Sequence, residues 1–292
     1  MTEGVTPPRS RIALRIAARS DVGVERANNE DRSLVADLAQ GQQNFGAFDG
    51  ALETDNGGVL LAVCDGMGGE AGGEVASSTA VEALFRTGVA SLPGRSEQEV
   101  ARGLVETVKS ASQAVEARAA ADRTLARMGT TATVCTFAGD ALLIAQVGDS
   151  RAYLFRNGRL SQLTRDQTLK NLLVERGQLT PEEAGEFQHT NIILQALGHH
   201  GGVEVDLGWV GVSRGDVLLL CSDGLFGCVS DDSIAQALAA NADPSAACDL
   251  LIRTALQAGA PDNVTCVVAH LDGALPPGSA ELPVLQKLEL VP

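Results

Sequence analysis

Four aspartates in this chain stand at the ends of apolar runs, a setting that suits oxygen chemistry on a hard cation. Asp65 closes the run Leu60-Leu61-Ala62-Val63-Cys64 and opens onto Gly66-Met67-Gly68-Gly69. A short apolar run of this kind reads as a buried strand, and the glycines beyond it let the backbone turn tightly and approach a ligand. Asp149 follows the run from Leu142 to Gly148, Asp223 follows the run from Val217 to Ser222, and Asp262 stands just before Asn263-Val264-Thr265. If these tips meet in space, their carboxylates surround divalent cations. A set of oxygen ligands with little histidine selects Mg2+ or Mn2+. Of the four histidines, His199 and His200 fall in a glycine-rich turn, and none is spaced for zinc. Two hard ions sharing a carboxylate can lower the pKa of a water held between them. Upstream, Arg26 lies just before Glu30 and Asp31, and its planar fork can hold phosphate oxygens in bidentate fashion. Cations, a water to activate and an anion clamp make up the inventory of a phosphoester hydrolase.

The elements that must position these groups follow from hydrophobic periodicity. Strands are predicted over residues 11–18, 33–38, 130–137, 141–147, 151–155, 203–210, 216–221 and 263–271. Gly139-Asp140 and Asn157-Gly158 are tight-turn signals, so the strands they join are expected to be antiparallel. Helices are predicted over residues 74–90, 97–127, 163–177, 180–186, 231–240 and 244–258, the first two with apolar stripes that serve as core faces. The Gly/Gln/Asp-rich stretch 39–58 reads as a connector, and Phe48-Asp49-Gly50 within it reads as a turn. Residues 1–10 and 273–292, each with a Pro-Pro pair, read as tails around one domain spanning 11–272.

The bulk properties narrow the partners. The 292 residues hold 37 acidic against 22 basic side chains, a formal charge of −15, which disfavours nucleic acid and anionic membranes. No apolar run reaches the roughly 20 residues needed to span a bilayer, and residues 1–10 lack the apolar centre of a signal peptide. The six cysteines form no C-x-x-C pair and lie mostly in apolar runs, as small buried hydrophobes of a reducing compartment do. The expectation is a cytoplasmic monomer.

Taken in order, the motifs Arg26-Ala27-Asn28-Asn29-Glu30-Asp31, Val63-Cys64-Asp65-Gly66, Gly129-Thr130-Thr131-Ala132, Val147-Gly148-Asp149-Ser150-Arg151, Leu163-Thr164-Arg165-Asp166, Ala196-Leu197-Gly198, Cys221-Ser222-Asp223-Gly224 and Pro261-Asp262-Asn263-Val264-Thr265 resemble those of bacterial metal-dependent protein phosphatases, the PPM or type 2C Ser/Thr family. The resemblance covers the chain from about residue 12 to 271. It implies an α+β fold, a four-layer α/β/β/α sandwich of two antiparallel sheets flanked by helices, with a metal site at one end. It implies that Asp65 bridges two ions, that the Gly66 carbonyl completes one site, and that Asp223 and Asp262 complete the other. By the same resemblance Glu30, Asp31 and Asn263 order metal-bound waters, Arg26 binds the substrate phosphate, and Asp149 holds a third ion. The implied activity is hydrolysis of phosphoserine and phosphothreonine on proteins, with a Ser/Thr kinase and its substrates as partners.

Residues 166–195 correspond to the family's variable flap, and both departures from the pattern lie within it. Gln167-Thr168 stands where relatives often carry His-Ser, and Gln195 where they often carry Arg. Met67 follows Asp65-Gly66, as in other bacterial forms, where a histidine stands elsewhere in the family. Two other readings stay open: a regulatory binding protein that keeps the fold without turnover, and a hydrolase of small phosphate esters.

Overall fold

The computed structural model describes residues 12–54, 58–68, 72–185, 187 and 192–290. The first strands are β1 (Ile12–Asp21), β2 (Arg32–Asp37), β3 (Gln42–Phe45), β4 (Phe48–Glu53), β5 (Val59–Cys64) and β6 (Gly66–Met67), followed by helices α1 (Gly72–Ser91) and α2 (Glu97–Ala121). Strands β7 (Gly129–Thr130), β8 (Ala132–Ala138), β9 (Ala141–Val147), β10 (Arg151–Arg156) and β11 (Arg159–Gln162) lead to the short helices α3 (Leu169–Glu175) and α4 (Pro181–Gly185). The chain continues through β12 (Asp206–Gly211), β13 (Val217–Cys221), α5 (Asp223–Phe226), α6 (Asp231–Ala240), α7 (Pro244–Gln257), β14 (Val264–Gly273) and β15 (Gln286–Lys287).

Two antiparallel sheets result. One has the order β11-β10-β13-β14-β1-β4 and the other β15-β12-β9-β8-β5-β2-β3. The reason they stack is visible in β5, whose six residues are all buried. Alternate side chains point to opposite faces of a strand. Leu60, Ala62 and Cys64 therefore join the core shared with α1 and α2, while Val59, Leu61 and Val63 join the core between the sheets, with Ile16, Ile144 and Leu218. On the outer face of the first sheet, Tyr153, Leu219 and Val268 pack against Ile234 of α6 and Leu251 of α7. These three apolar layers make the α/β/β/α sandwich. Each fully buried Leu or Val stabilises it by about 1.5–3 kcal/mol.

Local chemistry sets several boundaries. The β10–β11 turn places Asn157 and Gly158 at φ 51° and 80°, the pair of positive φ values that a type I′ hairpin demands. Asp243 accepts a hydrogen bond from the Ser245 N–H at the start of α7, with Pro244 in its first turn, as helix entry favours.

Four expectations need correction. Phe48-Asp49-Gly50 is not a turn but the start of β4, paired with Ala18, Ala17 and Ile16 of β1. The Phe48 ring lies over Gly50, where a side chain would clash with it, and Asp49 is held by Arg19 at 2.9 Å. Residues 163–177 do not form one helix; α3 begins only after Thr168, which caps it by accepting from the Asn171 N–H at 3.3 Å. The preceding Asp166 and Gln167 are held instead by Arg151 of β10 and by the Gly148 N–H in the turn after β9. Helix α2 stops at Ala121 and is followed by a separate 3-10 turn, Arg123–Leu125. Finally, residues 273–290 do not leave the domain: β15 pairs with β12, Leu275 is buried, and Leu288 and Leu290 pack on the core beneath α2. The expected tail 1–10 lies outside the described residues.

Candidate active site

Antiparallel register gathers the acids. Cys64 at the end of β5 lies opposite Arg32 at the start of β2, Cys221 at the end of β13 opposite Cys266 near the start of β14, and Val147 at the end of β9 opposite Ala132 at the start of β8. The residues just beyond these positions are Asp65, Asp31, Asp223, Asp262 and Asp149, so all five fall at one end of the sandwich.

Hydroxyl groups pin the tips. The Asp65 N–H donates to Thr131 Oγ1 at 2.9 Å, while its carbonyl accepts from the Thr131 N–H at 2.9 Å and from Thr130 Oγ1 at 2.8 Å. Asp31 is 1% exposed and accepts at 2.7 Å from Ser222 Oγ, which itself accepts from the Thr265 N–H at 3.0 Å. This one hydroxyl therefore ties the two sheets together across the site. The sequence carries no sign of the roles of Ser222, Thr130 and Thr131, since a hydroxyl's role shows only in its hydrogen-bond partners.

The flanking loop is fixed by Asn263. Its Oδ1 accepts from the Glu30 N–H at 2.8 Å, and its Nδ2 donates to the Val22 and Asn28 carbonyls at 2.8 and 2.9 Å. The Glu30 carbonyl accepts from the Gly66 N–H, and the Glu30 carboxylate lies against the Gly73 backbone at the start of α1, which tempers the rise that burial gives its pKa. Helix starts leave such N–H groups free for an acid. Gly66 and Gly73 must both be glycine for this arrangement: a Cβ on Gly66 would lie 2.1 Å from the Gly73 carbonyl oxygen, and one on Gly73 would lie 2.7 Å from Glu30 Oε2. Asn263 and Glu30 thus spend these contacts on shaping the loop.

Arg26, Glu30, Asp65, Gly66, Asp223 and Asp262 line one cleft of about 810 Å3, together with Met67, Gly68 and Ile193. Asp31, Asp149 and Asn263 lie behind its wall, Asp31 and Asp149 close enough to act electrostatically on Asp65. Arg26 Nη2 bonds Asp262 Oδ2 at 2.6 Å, and the guanidinium is half-exposed. That contact, more than any other, raises its pKa above the ordinary arginine value.

Electrostatically the acids are frustrated. Burial and then the charges of Asp223 and Asp262 push Asp31 up to about 7, and burial and then Asp223 and Asp166 push Asp149 up to about 7. Asp65 is driven well above the carboxylate range, by burial first and then by Asp31, Asp223, Asp149 and Asp262. Asp223 is raised by burial and by Asp262, against a hydrogen bond shared with Asp65. Asp31 Oδ1, Asp149 Oδ1 and Asp223 Oδ1 are buried without a hydrogen-bond partner. Buried acceptors facing one another are what divalent cations satisfy. Among the described residues no three His, Cys, Asp or Glu side chains form a one-ion cage. Carboxylate and backbone oxygens of the kind that line the cleft suit Mg2+ or Mn2+, which keep several waters beside one or two carboxylates. The donor set therefore fits hard ions.

The flap is zipped at its base. Thr168 pairs with Ile193, the Leu194 N–H donates to the Gln167 carbonyl at 2.8 Å, and Ile193 reaches the cleft wall. Gln167 is 8% exposed; its Oε1 accepts from the Gly148 N–H at 2.8 Å and its Nε2 donates to Asp206 at 3.0 Å. It therefore joins the flap to the turn that carries Asp149. Asp166 next to it receives both arms of Arg151, at 2.9 and 2.7 Å. Gln195 lines a different groove, beside Lys109 and Glu204.

A two-sheet sandwich with buried aspartates converging at one end and an arginine at the cleft is the build of a metal-dependent phosphatase. Residues 37–269 match the Protein phosphatase 2C family, and the chain belongs to that family. It is 40% identical to the serine/threonine protein phosphatase PstP of Mycobacterium tuberculosis over 90% of its own length and 46% of that protein, so it spans about half of that relative. With the serine/threonine phosphatase stp of Listeria monocytogenes it shares 35% identity over 75% of its length and 90% of the relative. A crystal structure of the catalytic domain of PstP in complex with two manganese ions superposes with a TM-score of 0.72 at 40% identity, over 89% of this chain and 99% of that one.

Proposed function

We propose that this chain is a phosphoprotein phosphatase that hydrolyses phosphoserine and phosphothreonine with the help of two bound Mg2+ or Mn2+ ions. The observation that carries the reading is the gathering of five mutually repelling aspartates, Asp31 and Asp149 buried and Asp65, Asp223 and Asp262 half-buried, beside one guanidinium. Asp65, the Gly66 carbonyl, Asp223 and Asp262 hold the two ions, and Asp149 serves a third. When bound, the ions supply a water of lowered pKa and neutralise charge on the phosphoryl oxygens.

The remaining work falls to side chains of this chain. Arg26 leaves Asp262 and closes its fork on the substrate phosphate, which fixes the phosphorus for attack from the acidic side. Ser222 holds Asp31 in place by its hydrogen bond, so that the carboxylate can order water or take up a proton at its unpartnered Oδ1. Asn263 and Glu30 keep the loop that carries Arg26 at a fixed distance from Asp65. The flap, residues 166–195, screens protein substrates from one side of the cleft. All the expected ligands are present, which favours turnover over a silent binding role.

The natural partners are then a Ser/Thr kinase and its phosphorylated targets. Among the described residues no helix is long and apolar enough to cross a membrane. The test is a panel of phosphoserine, phosphothreonine and phosphotyrosine peptides assayed after EDTA treatment and after Mn2+ or Mg2+ is restored. Activity on the first two that vanishes with EDTA and returns with metal is the expected result. Equal activity with and without metal overturns the reading.

A further inference from the structure

Beside the acidic cleft the structure holds a groove of the opposite sign. It measures about 420 Å3 and is lined by Arg123, Arg127, Met128, Gly198, His199 and His200, among others. The two features share a wall. Met67 of the cleft pairs with Gly129, and Gly68 packs so tightly on the next residues that a Cβ there would lie 2.6 Å from the Met128 Cα and 2.7 Å from the Arg127 carbonyl oxygen. The short β6–β7 ribbon is thus the divide between the acid cleft and the basic groove. Its two strands lie about 5 Å apart, so a few extended residues, at roughly 3.3–3.6 Å each, carry a substrate chain across it.

The charge here runs against the rest of the molecule. In a chain of net charge −15, Arg118, Arg123 and Arg127 fall within ten positions. Arg123 and Arg127 are exposed, and among the described residues neither has an ion-pair partner. The acids nearby are already occupied: Glu116 is bonded to His200 Nδ1 at 2.9 Å, and Asp122 accepts from the Thr124 N–H and hydroxyl at 3.0 and 2.7 Å. The floor is firm, since Ala119 and Met128 are buried in the core beneath α2. Two unengaged guanidinium groups across the ribbon from the cleft form a surface for carboxylates.

We propose that this groove binds Asp or Glu side chains of the phosphoprotein substrate a few residues from the phosphorylated serine or threonine. The assignment rests on the phosphatase reading and adds a preference among substrates. A carboxylate-bearing segment entering the cleft is repelled by the surplus acids of the surface; across the ribbon it meets Arg123 and Arg127. Attraction at an exposed site is modest and falls with salt, so the groove biases selection without being required for hydrolysis.

The test compares two phosphoserine peptides that differ only in an Asp-Asp or Ala-Ala pair three residues from the phosphate. The parent protein is set against the Arg123→Glu/Arg127→Glu and Arg123→Ala/Arg127→Ala variants, with a small aryl phosphate as control. The parent should favour the acidic peptide roughly three- to tenfold in kcat/KM, through KM, as two exposed ion pairs allow, and the preference should shrink at high salt. The alanine variant should lose the preference and the glutamate variant invert it, with aryl phosphate hydrolysis unchanged in both. Equal use of both peptides by the parent, or a preference that survives in the variants, overturns the proposal. Should the aryl phosphate be cleaved and neither peptide, the phosphoprotein reading fails. The groove is then judged by fluorescence anisotropy with an unphosphorylated Asp-rich peptide, and binding that is absent, or unchanged in the glutamate variant, overturns it.

Discussion

Asp149 offers a direct way to measure the strain that the acidic cluster places on the metal-free protein. Its carboxyl is 6% exposed, its Oδ1 has no hydrogen-bond partner, and burial together with Asp223 and Asp166 raises its pKa from 3.8 to about 7. A carboxyl with a folded pKa above its unfolded value binds its proton more tightly in the native state. Its favourable contribution is then complete below pH 3.8 and is lost as pH rises through 7. The shift of roughly three units corresponds to ~4 kcal/mol of destabilisation above pH 7. Asp149→Asn removes the charge at nearly constant volume and keeps a polar group, so the gain should be about 2–4 kcal/mol at pH 8 and close to zero near pH 4. For a chain of this length that is a rise in Tm of roughly 4–8 °C at pH 8. Calorimetry in EDTA at both pH values reads it. In excess Mn2+ the order should narrow, because the parent gains more from the metal than the variant; a ligand at 100 times its Kd adds about 2.7 kcal/mol. A variant that is less stable than the parent by the same amount at pH 4 and pH 8 would refute the reasoning, since the charge would then not be the source of strain.

Arg26→Lys keeps a positive charge but loses the fork, so KM for phosphopeptides and the inhibition constant for inorganic phosphate should rise about tenfold while calorimetric Mn2+ affinity stays within a factor of two or so. Gln167→Ala strips the buried Gly148 N–H of its acceptor, which costs about 1–3 kcal/mol. If Asp149 holds the proposed third ion, the variant should also lose the weakest of the Mn2+ binding steps. Asp216→Asn breaks the buried pair with Arg156, whose guanidinium makes two contacts of 2.6 and 2.8 Å with that carboxylate. The uncompensated guanidinium should lower stability by about 3–5 kcal/mol in urea unfolding without altering metal affinity.

The positions of Asp65, Asp149, Asp223 and Asp262 were legible in the sequence because each stands at one end of an apolar run, the first three after it and Asp262 before it, and an apolar run buried on both faces has few alternatives to a central strand. The antiparallel arrangement was legible at Gly139-Asp140 and Asn157-Gly158, where turn chemistry acts over two residues. Other features depend on contacts distant in sequence. Nothing local marks Phe48-Asp49-Gly50 as an edge strand, since Arg19 and the β1 backbone make it one. The same holds for Ser222, which matters because Asp31, 191 positions away, points at it. Glu30 was legible as an acid near the site, but its contact with the start of α1 depends on Gly73, a residue with no side chain to read.

The return of residues 273–290 changes where this domain can safely be cut. A truncation at Gly273 would preserve every aspartate of the cleft, yet it would strip Leu285 from above Gly208 and release the Leu207 carbonyl from the Leu288 N–H. The bared margin of β12 would offer a row of free amide and carbonyl groups beside apolar surface from Val205, Leu207 and Trp209, a template on which another chain can add a strand. Such a fragment should keep its metal sites while losing its solubility, pairing with its own copies as concentration rises. Its failure in the test tube would then be a matter of adhesion, arising at the far rim of the sheet and not at the cleft.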